Sequence, residues 1–405
     1  MPLAISQAVA YISQTTPRCS VQQSGLSLLD HDSGDLRRDG EASNSIFLTW
    51  QISFEHIHTI RPSAADLLSL MSFFDRENIQ EALLRDRKLP SRPNAKAKTG
   101  WAKKMLLWRR QNRQDVVAIA NTARRDKGRI TGDEFEDDVI ILWSYSFISV
   151  TADLASFEMH RLVQLATQKW LKSRGRLERW GSQFVSNLDD AFPYGKYEEW
   201  AVCQPLLPHA MAALDMNLLD TEAKLWQASL LLKSGRYASQ QGAFDSAQRM
   251  QSLAMKVRKA VLPEGYPDTL TSMGNLAKTY SDQGRWAEAE KLQVEVMETS
   301  KAVLPEGHPD TLTSMDNLAM TYSNQGRWEE AEKLEVEVME TSKAVLPKGH
   351  PDTLRGMGNL AIIQRNLGRQ EFSVDLMRQC IALSSDRTKA SRHPRSLQMD
   401  RSLGD

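Results

Sequence analysis

Residues 268–309 read DTLTSMGNLAKTYSDQGRWAEAEKLQVEVMETSKAVLPEGHP, and residues 310–351 write the same 42-residue stretch again with six changes. The changes are Gly274/Asp316, Lys278/Met320, Asp282/Asn324, Ala287/Glu329, Gln293/Glu335 and Glu306/Lys348. A third copy opens at Asp352 with DTLRGMGNLA and decays towards the C-terminus, and a more divergent copy ends upstream at KVRKAVLPEGYP. Self-similarity at one fixed period predicts a stacked-repeat architecture, in which each unit buries its apolar face only against its neighbours. Such arrays present extended surfaces that hold other proteins.

Each copy carries two helical periods. Leu270, Met273, Leu276, Ala277 and Tyr280 recur at three- and four-residue spacing, the apolar stripe of one helix. Asp268, after Pro267, is placed as its N-cap, and Gly284 as its terminator. Trp286, Ala289, Leu292, Val296 and Met297 mark the second helix, closed by Pro305 and Gly307. Alanines fall where two helices approach closely, at 277, 289, 319 and 331, and a larger side chain there would overpack the contact by about 1–3 kcal/mol.

The sequence N-L-A-x-x-Y, then Q-G-R-W, then E-A-E resembles the tetratricopeptide repeat, whose usual period is about 34 residues. The longer period, with its A-V-L-P-E-G-H-P-D connection, is similar to the kinesin light chain subtype. The resemblance implies that the first helix of each unit lines a concave groove. That groove would show Thr271, Gly274, Asn275, Lys278 and Asp282, then Thr313, Asp316, Asn317, Met320 and Asn324, then Arg355, Gly358, Asn359, Ile362 and Asn366. Kinesin light chains carry N-N-L-A here, and this chain keeps only the second asparagine (Asn275, Asn317, Asn359). Those three read either as local packing and backbone bonding or as ligand contacts. His308-Pro309-Asp310 and His350-Pro351-Asp352 spell a co-chaperone tripeptide, yet they recur at the repeat period. A proline followed by a capping aspartate explains them.

The upstream half has another texture. FLTWQISFEHIHTI (47–60), SAADLLSLMSFF (63–74) and residues 133–143 read as helices, with Pro62 opening the second. Residues 145–150 and 157–160 read as short strands about a turn at Asp153, before a helix over 161–172. Helices, a hairpin and a helix predict a winged-helix arrangement. The class is therefore mainly α: a winged-helix-like domain (46–174), a helical bridge or cap (175–225), then an α-α superhelix, the tetratricopeptide solenoid (226–385). Its units lie near 226–267, 268–309, 310–351 and 352–385. Phe372 replaces the glutamate of earlier copies (Glu288, Glu330), so the last unit reads as frayed or self-associating. The tail 386–405 reads as disordered.

Pro2-Leu3-Ala4, LTWQISFEHI, RPSAADLLSLMSFFDR and FEMHRLVQLA resemble the region that follows the nucleotide-binding core in fungal NB-ARC/STAND signalling NTPases. The resemblance implies that residues 1–45 are a remnant of the helical region after such a core. It also makes Pro2 and His160 vestigial nucleotide contacts, although Arg161 stands where the family has an aspartate. No G-x-x-x-x-G-K-[ST] occurs in the sequence, so no phosphate cradle is legible and no cofactor is expected. Residues 87–129 carry 14 Lys/Arg against Asp115 and Asp126, with Trp101 and Trp108 among them. A solvated basic insertion is preferred to a nucleic-acid site, because nothing else in the chain points to nucleic acid.

Bulk composition agrees. Lysine plus arginine equals aspartate plus glutamate at 51 each, which selects neither nucleic acid nor an anionic membrane. Cys19, Cys203 and Cys380 lie far apart, in no metal-ligand or disulfide pattern. No apolar run approaches the roughly 20 residues of a membrane span, and the start lacks a signal-peptide pattern. The expectation is a cytoplasmic, non-enzymatic scaffold or sensor, holding a protein or peptide partner in the groove and binding no metal. A degenerate NB-ARC ATPase or ADP-binding switch is the alternative. A kinesin light chain-like cargo adaptor ranks lower, for want of a sustained heptad run before the repeats.

Overall fold

The computed structural model describes residues 41–85, 134–152 and 155–391, with side chains from Trp50 to Ser384 within that range. The expectations for residues 1–40, most of the basic insertion and the tail from 392 lie outside the described residues. Two compact units result: the described residues up to Pro193 with Glu198–Leu230, and Tyr194–Tyr197 with the residues from Leu231 onward.

In the first unit, α1 (Glu41–Ile60) and α2 (Pro62–Met71) are followed by β1 (Ile79–Gln80) and α3 (Glu81–Leu84). Then come α4 (Glu134–Ser144), β2 (Ile148–Val150), β3 (Ser156–Met159) and α5 (Arg161–Ser173). Pro62 opens α2 at its first position, where its missing N–H costs nothing. The three strands form one antiparallel sheet with β3 in the middle, Ile79 opposite Phe157 and Ile148 opposite Met159. The expected hairpin is there. β1 was not anticipated, because a two-residue strand has no readable alternation and its partner lies far away in sequence. An aromatic core holds the unit: Trp50 stacks on Phe54 at 4.9 Å, and Phe54 meets Trp170 edge-on at 4.8 Å. The Arg61 guanidinium (2.6 Å) and the Ser63 hydroxyl (2.7 Å) both donate to Asp138, tying the start of α2 to α4. Residues 175–225, expected as a separate bridge, contribute α6 (Leu177–Ala191) and α7 (Trp200–Ala212), both within this unit.

His209 of α7 is fully buried. Its Nδ1 accepts from the Asp75 N–H at 3.0 Å and its Nε2 meets the Asn78 carbonyl at 3.1 Å, so the ring is neutral with the proton on Nε2. Burial holds its pKa below the usual 6.5. An unfolded chain would bind a proton below pH 6.5 that the folded one refuses. The first unit is therefore expected to lose stability as pH falls through that value, by up to about 1.4 kcal/mol per pH unit. Urea unfolding at pH 7 and pH 5.5 checks this, and His209→Gln should reduce the difference, leaving the part due to His56, whose pKa burial also lowers.

The repeats follow from α8 (Thr221–Gln240), along which the division between units falls, and α9 (Phe244–Val261). Successive pairs are α10 (Pro267–Asp282) with α11 (Trp286–Val303), α12 (Pro309–Asn324) with α13 (Trp328–Val345), and α14 (Pro351–Asn366) with α15 (Gln370–Ser391). Residues 386–391, expected to be disordered, extend α15. The four alanines at 277, 289, 319 and 331 are all at most 1% exposed. Each small core borrows a methionine from the preceding unit: Met255 packs on Leu270, Met273 and Val296, and Met297 on Leu312, Met315 and Val338. That borrowing is why one unit cannot stand alone. Gly284 follows the C-cap Gln283 at φ 74°, a left-handed position suited to glycine.

The capping expectation is corrected. Asp268 lies in the first turn, while the N-cap is Tyr266, with Pro267 at the first helical position. In the next two units His308 and His350 are the N-caps, their Nδ1 atoms accepting from the N–H of Asp310 and Asp352 at 3.1 and 3.2 Å. A residue before proline must be extended, which is the cap's own conformation, so the histidine two residues ahead meets that N–H first.

Candidate functional site

The first helices of the units carry the residues expected in the groove, and they do not behave alike. Lys278 is exposed, with its ammonium 3.3 Å from Asp282. Asn317 and Asn324 are exposed, and Met320 keeps 43% of its surface. Asn275 donates to the Thr271 carbonyl and Asn366 to the Ile362 carbonyl, each at 3.0 Å within its own helix.

Asp316 is the correction. It is 6% exposed, so it is not displayed to a ligand. Asn359 donates to it at 2.7 Å, and Arg355 stands 3.4 Å from its other oxygen while also reaching Asp352 at 3.5 Å. Asp316, Arg355 and Asn359 are thus one internal cluster linking two units. Beside it lies Glu335, fully buried, its carboxyl facing Asp316 and Asn359. Burial and the Asp316 charge push the Glu335 carboxyl up to about 9, so it is protonated at neutral pH.

One period upstream the same crevice is open. Between α10 and α12 lies a cavity of about 240 Å³, lined by Gly274, Asn275, Lys278, Gln293, Thr313 and Asn317 among others. Its equivalent between α12 and α14, lined by Asp316, Val338, Arg355 and Gly356, has about 10 Å³ left, roughly one water. The difference traces to side chains. A Cβ on Gly274 would meet nothing within 4 Å, whereas Asp316 occupies that position in the next copy. Thr313 stands where the following unit has Arg355. The Gln293 carboxamide is 5% exposed and its oxygen has no hydrogen-bond partner. Further upstream the corresponding Gln251 accepts from Thr279 at 2.7 Å, and Arg258 fills the crevice by donating to the Asp268 carbonyl and the Ser272 hydroxyl. The sequence reading missed Gln293, Glu335 and Arg258, which sit on second helices. The one available signal was that Gln293/Glu335 is among the six changes between near-identical copies.

Gly274 also sits inside a helix, where glycine is less stable than alanine. Gly274→Ala is expected to stabilise the repeats by about 0.5–1 kcal/mol, read as a higher midpoint in thermal unfolding.

In the first unit a wider depression of about 700 Å³ is lined by Phe73, Arg76, Arg161, Gln168, Glu178 and Asn217 among others. Its charges are of both signs. Gln164 and Gln168 are engaged with the Phe74 and Ser72 carbonyls, and Glu178 accepts from the N–H groups of Leu219 and Asp220. His160, expected as a vestigial nucleotide contact, is the N-cap of α5: its Nδ1 accepts from the Leu162 N–H at 3.1 Å. Pro2 lies outside the described residues. Among the described residues no group of three His, Cys, Asp or Glu side chains could hold a metal ion, and no helix is long and apolar enough to cross a membrane.

Comparison with known proteins bears on the repeats directly. The tetratricopeptide repeat family model matches residues 226–302, 268–344 and 310–386. A nucleotide-binding leucine-rich repeat (NLR)-like protein of Hyaloscypha variabilis is 34% identical over 284 residues, 67% of this chain and 24% of that protein. The chain thus spans about a quarter of that relative's length. Among solved structures, a kinesin-light-chain-like protein of Podosopora anserina with nearly identical TPR-like repeats covers 54% of this chain and is itself 97% covered, at 21% identity and a TM-score of 0.41. A signal-transduction ATPase (STAND) protein with a tetratricopeptide repeat sensor, from Pyrococcus horikoshii, covers 88% of this chain and is 54% covered, at 10% identity and a TM-score of 0.36.

Proposed function

We propose, from the premise that residues 226–386 form tetratricopeptide repeats, that the chain is a non-enzymatic interaction module. It holds a peptide or helix of a partner protein along the first helices of its repeats. One observation carries the reading: the crevice beside Lys278, Asn317 and Gln293 is open, with those polar side chains set among apolar ones (Leu270, Val296, Leu304), while its twin one period on is narrowed by the chain's own Arg355. A stacked array needs its inter-helix spaces filled for stability, so a cavity left at one junction is better explained by use than by packing.

We further read the module as the sensing part of a STAND-type receptor working inside a cell. The Hyaloscypha relative supports this, being NLR-like and matched over only 24% of its own length. In that reading the first unit is winged-helix-like, and the antiparallel β2–β3 pair followed by α5 supports it. Coupling to a nucleotide switch belongs to the longer protein.

The experiment is selection of a randomised peptide library on the immobilised full chain. Enriched peptides should lose binding on Lys278→Glu or Asn317→Ala. Enrichment indifferent to both substitutions, or no enrichment at all, rules the groove out.

A further inference from the structure

We propose that the crevice between α10 and α12 is a side-chain pocket for an uncharged carboxamide, the Asn or Gln side chain of an extended partner peptide. This rests on the groove reading above and gives it a chemistry.

The pocket's floor is the first argument. The Gln293 carboxamide is buried with its oxygen unpartnered. A buried polar atom left without a partner costs about 1–3 kcal/mol, which a ligand donating to it restores. At the rim, Asn317 makes no hydrogen bond among the described residues, and Asn275 uses one of its two amide protons on Thr271. A ligand facing these groups needs a donor and an acceptor on one short planar group, and a carboxamide has both. It also pairs with Gln293 whichever way that amide is turned.

Charge removes the competitors. A lysine or arginine would enter beside the Lys278 ammonium, and the carboxylate in the lining, Asp310, is exposed and solvated. A carboxylate would find Lys278 already paired with Asp282, and as an acceptor only it suits Gln293 in just one orientation of that amide.

The second argument is the twin crevice. There the chain's own Arg355 lines the equivalent space and meets Asp316 at 3.4 Å and Asp352 at 3.5 Å. The space therefore admits a long polar side chain, and its lining matches the occupant: acidic lining, cationic guest. Of the six differences between the copies, Gly274/Asp316 makes that lining acidic, while Gln293/Glu335 exchanges one uncharged buried group for another, Glu335 being protonated. Where these positions read glycine and glutamine, the lining is amide and the fitting guest is an amide.

The test is display selection of randomised heptapeptides on the full chain and three variants. The wild type should enrich Asn or Gln at one fixed position. Synthetic peptides with Glu or Leu at that position should bind about tenfold more weakly. Gly274→Leu, which puts in the crevice the residue type found one period upstream at Leu232, should abolish the preference at that position. Gly274→Asp with Gln293→Glu should move it to Lys or Arg. Gly274→Ala, expected to be well folded, should weaken the preference without removing it, and it keeps the test decisive should the double variant unfold. A wild-type consensus without Asn or Gln, or an Asn/Gln preference that survives Gly274→Leu, overturns the proposal while leaving groove binding intact. No enrichment on any form overturns both readings.

Discussion

Glu335→Gln is expected to raise the stability of the repeats by up to about 3 kcal/mol at pH 7, or roughly 6–12 °C in melting temperature. The sign follows from the proton. Burial and Asp316 push the folded carboxyl up to about 9, against 4.5 for an exposed glutamate. Between those values the folded chain holds a proton that the unfolded chain has released. Stability is therefore fully present below about pH 4.5 and is lost as pH rises towards 9. About 2.5 pH units separate pH 7 from the lower limit, at about 1.4 kcal/mol each. Glutamine has the same shape, no charge to desolvate, and stands at this position in the two preceding copies as Gln251 and Gln293. The measurement is thermal and urea unfolding of both proteins from pH 5 to pH 9. The wild type should weaken steadily across that range, and the variant should stay nearly level. Parallel curves would mean that the Glu335 carboxyl is ionised and hydrated.

Ala319→Arg should have the opposite effect and at least comparable size. Ala319 is 1% exposed on α12, in the middle of the array, and its counterparts at 277 and 361 are fully buried. Enlarging it forces helices apart, and a guanidinium there has no partner to offset its desolvation. A loss of about 3 kcal/mol or more is expected. Because stacked units stabilise one another only through nearest neighbours, the break should propagate to α10 and α14. Faster proteolysis of the repeats, together with loss of any selected peptide, is the expected readout. Unchanged unfolding would show that α12 can be displaced without strain.

The repeat helices were legible because their signals are local and redundant: proline at the start, glycine past the end, alanine at close approaches, all written several times over. The fate of individual polar residues was not. Asp316 and Asn317 are neighbours on one helix, yet the first is buried and the second exposed. That depends on Arg355 and Asn359 arriving from the next unit. Glu335 reads as a surface glutamate in an acidic helix, and only the depth of a crevice walled by three helices makes it a buried acid. His308 was read as incidental beside Asp310, because capping tables favour aspartate, but the proline between them fixed which side chain could reach back. In the first unit, β1 went unseen because two residues carry no period, and α6 and α7 were expected as a bridge or cap because an apolar helical stripe does not say which core it will join.

The ties between units have a historical consequence. Lys259 reaches Glu295 and Lys301 reaches Glu337, at 2.6 and 2.9 Å, in the same relative register. A gene carrying two nearly identical copies invites misaligned recombination, which adds or removes one whole period. Because these two junctions present the same ion pair, such an event between them keeps that tie intact and changes how many crevices the array contains. Lineages could then lengthen or shorten what they recognise in single steps, with point changes such as those at 274 and 293 rewriting one position at a time.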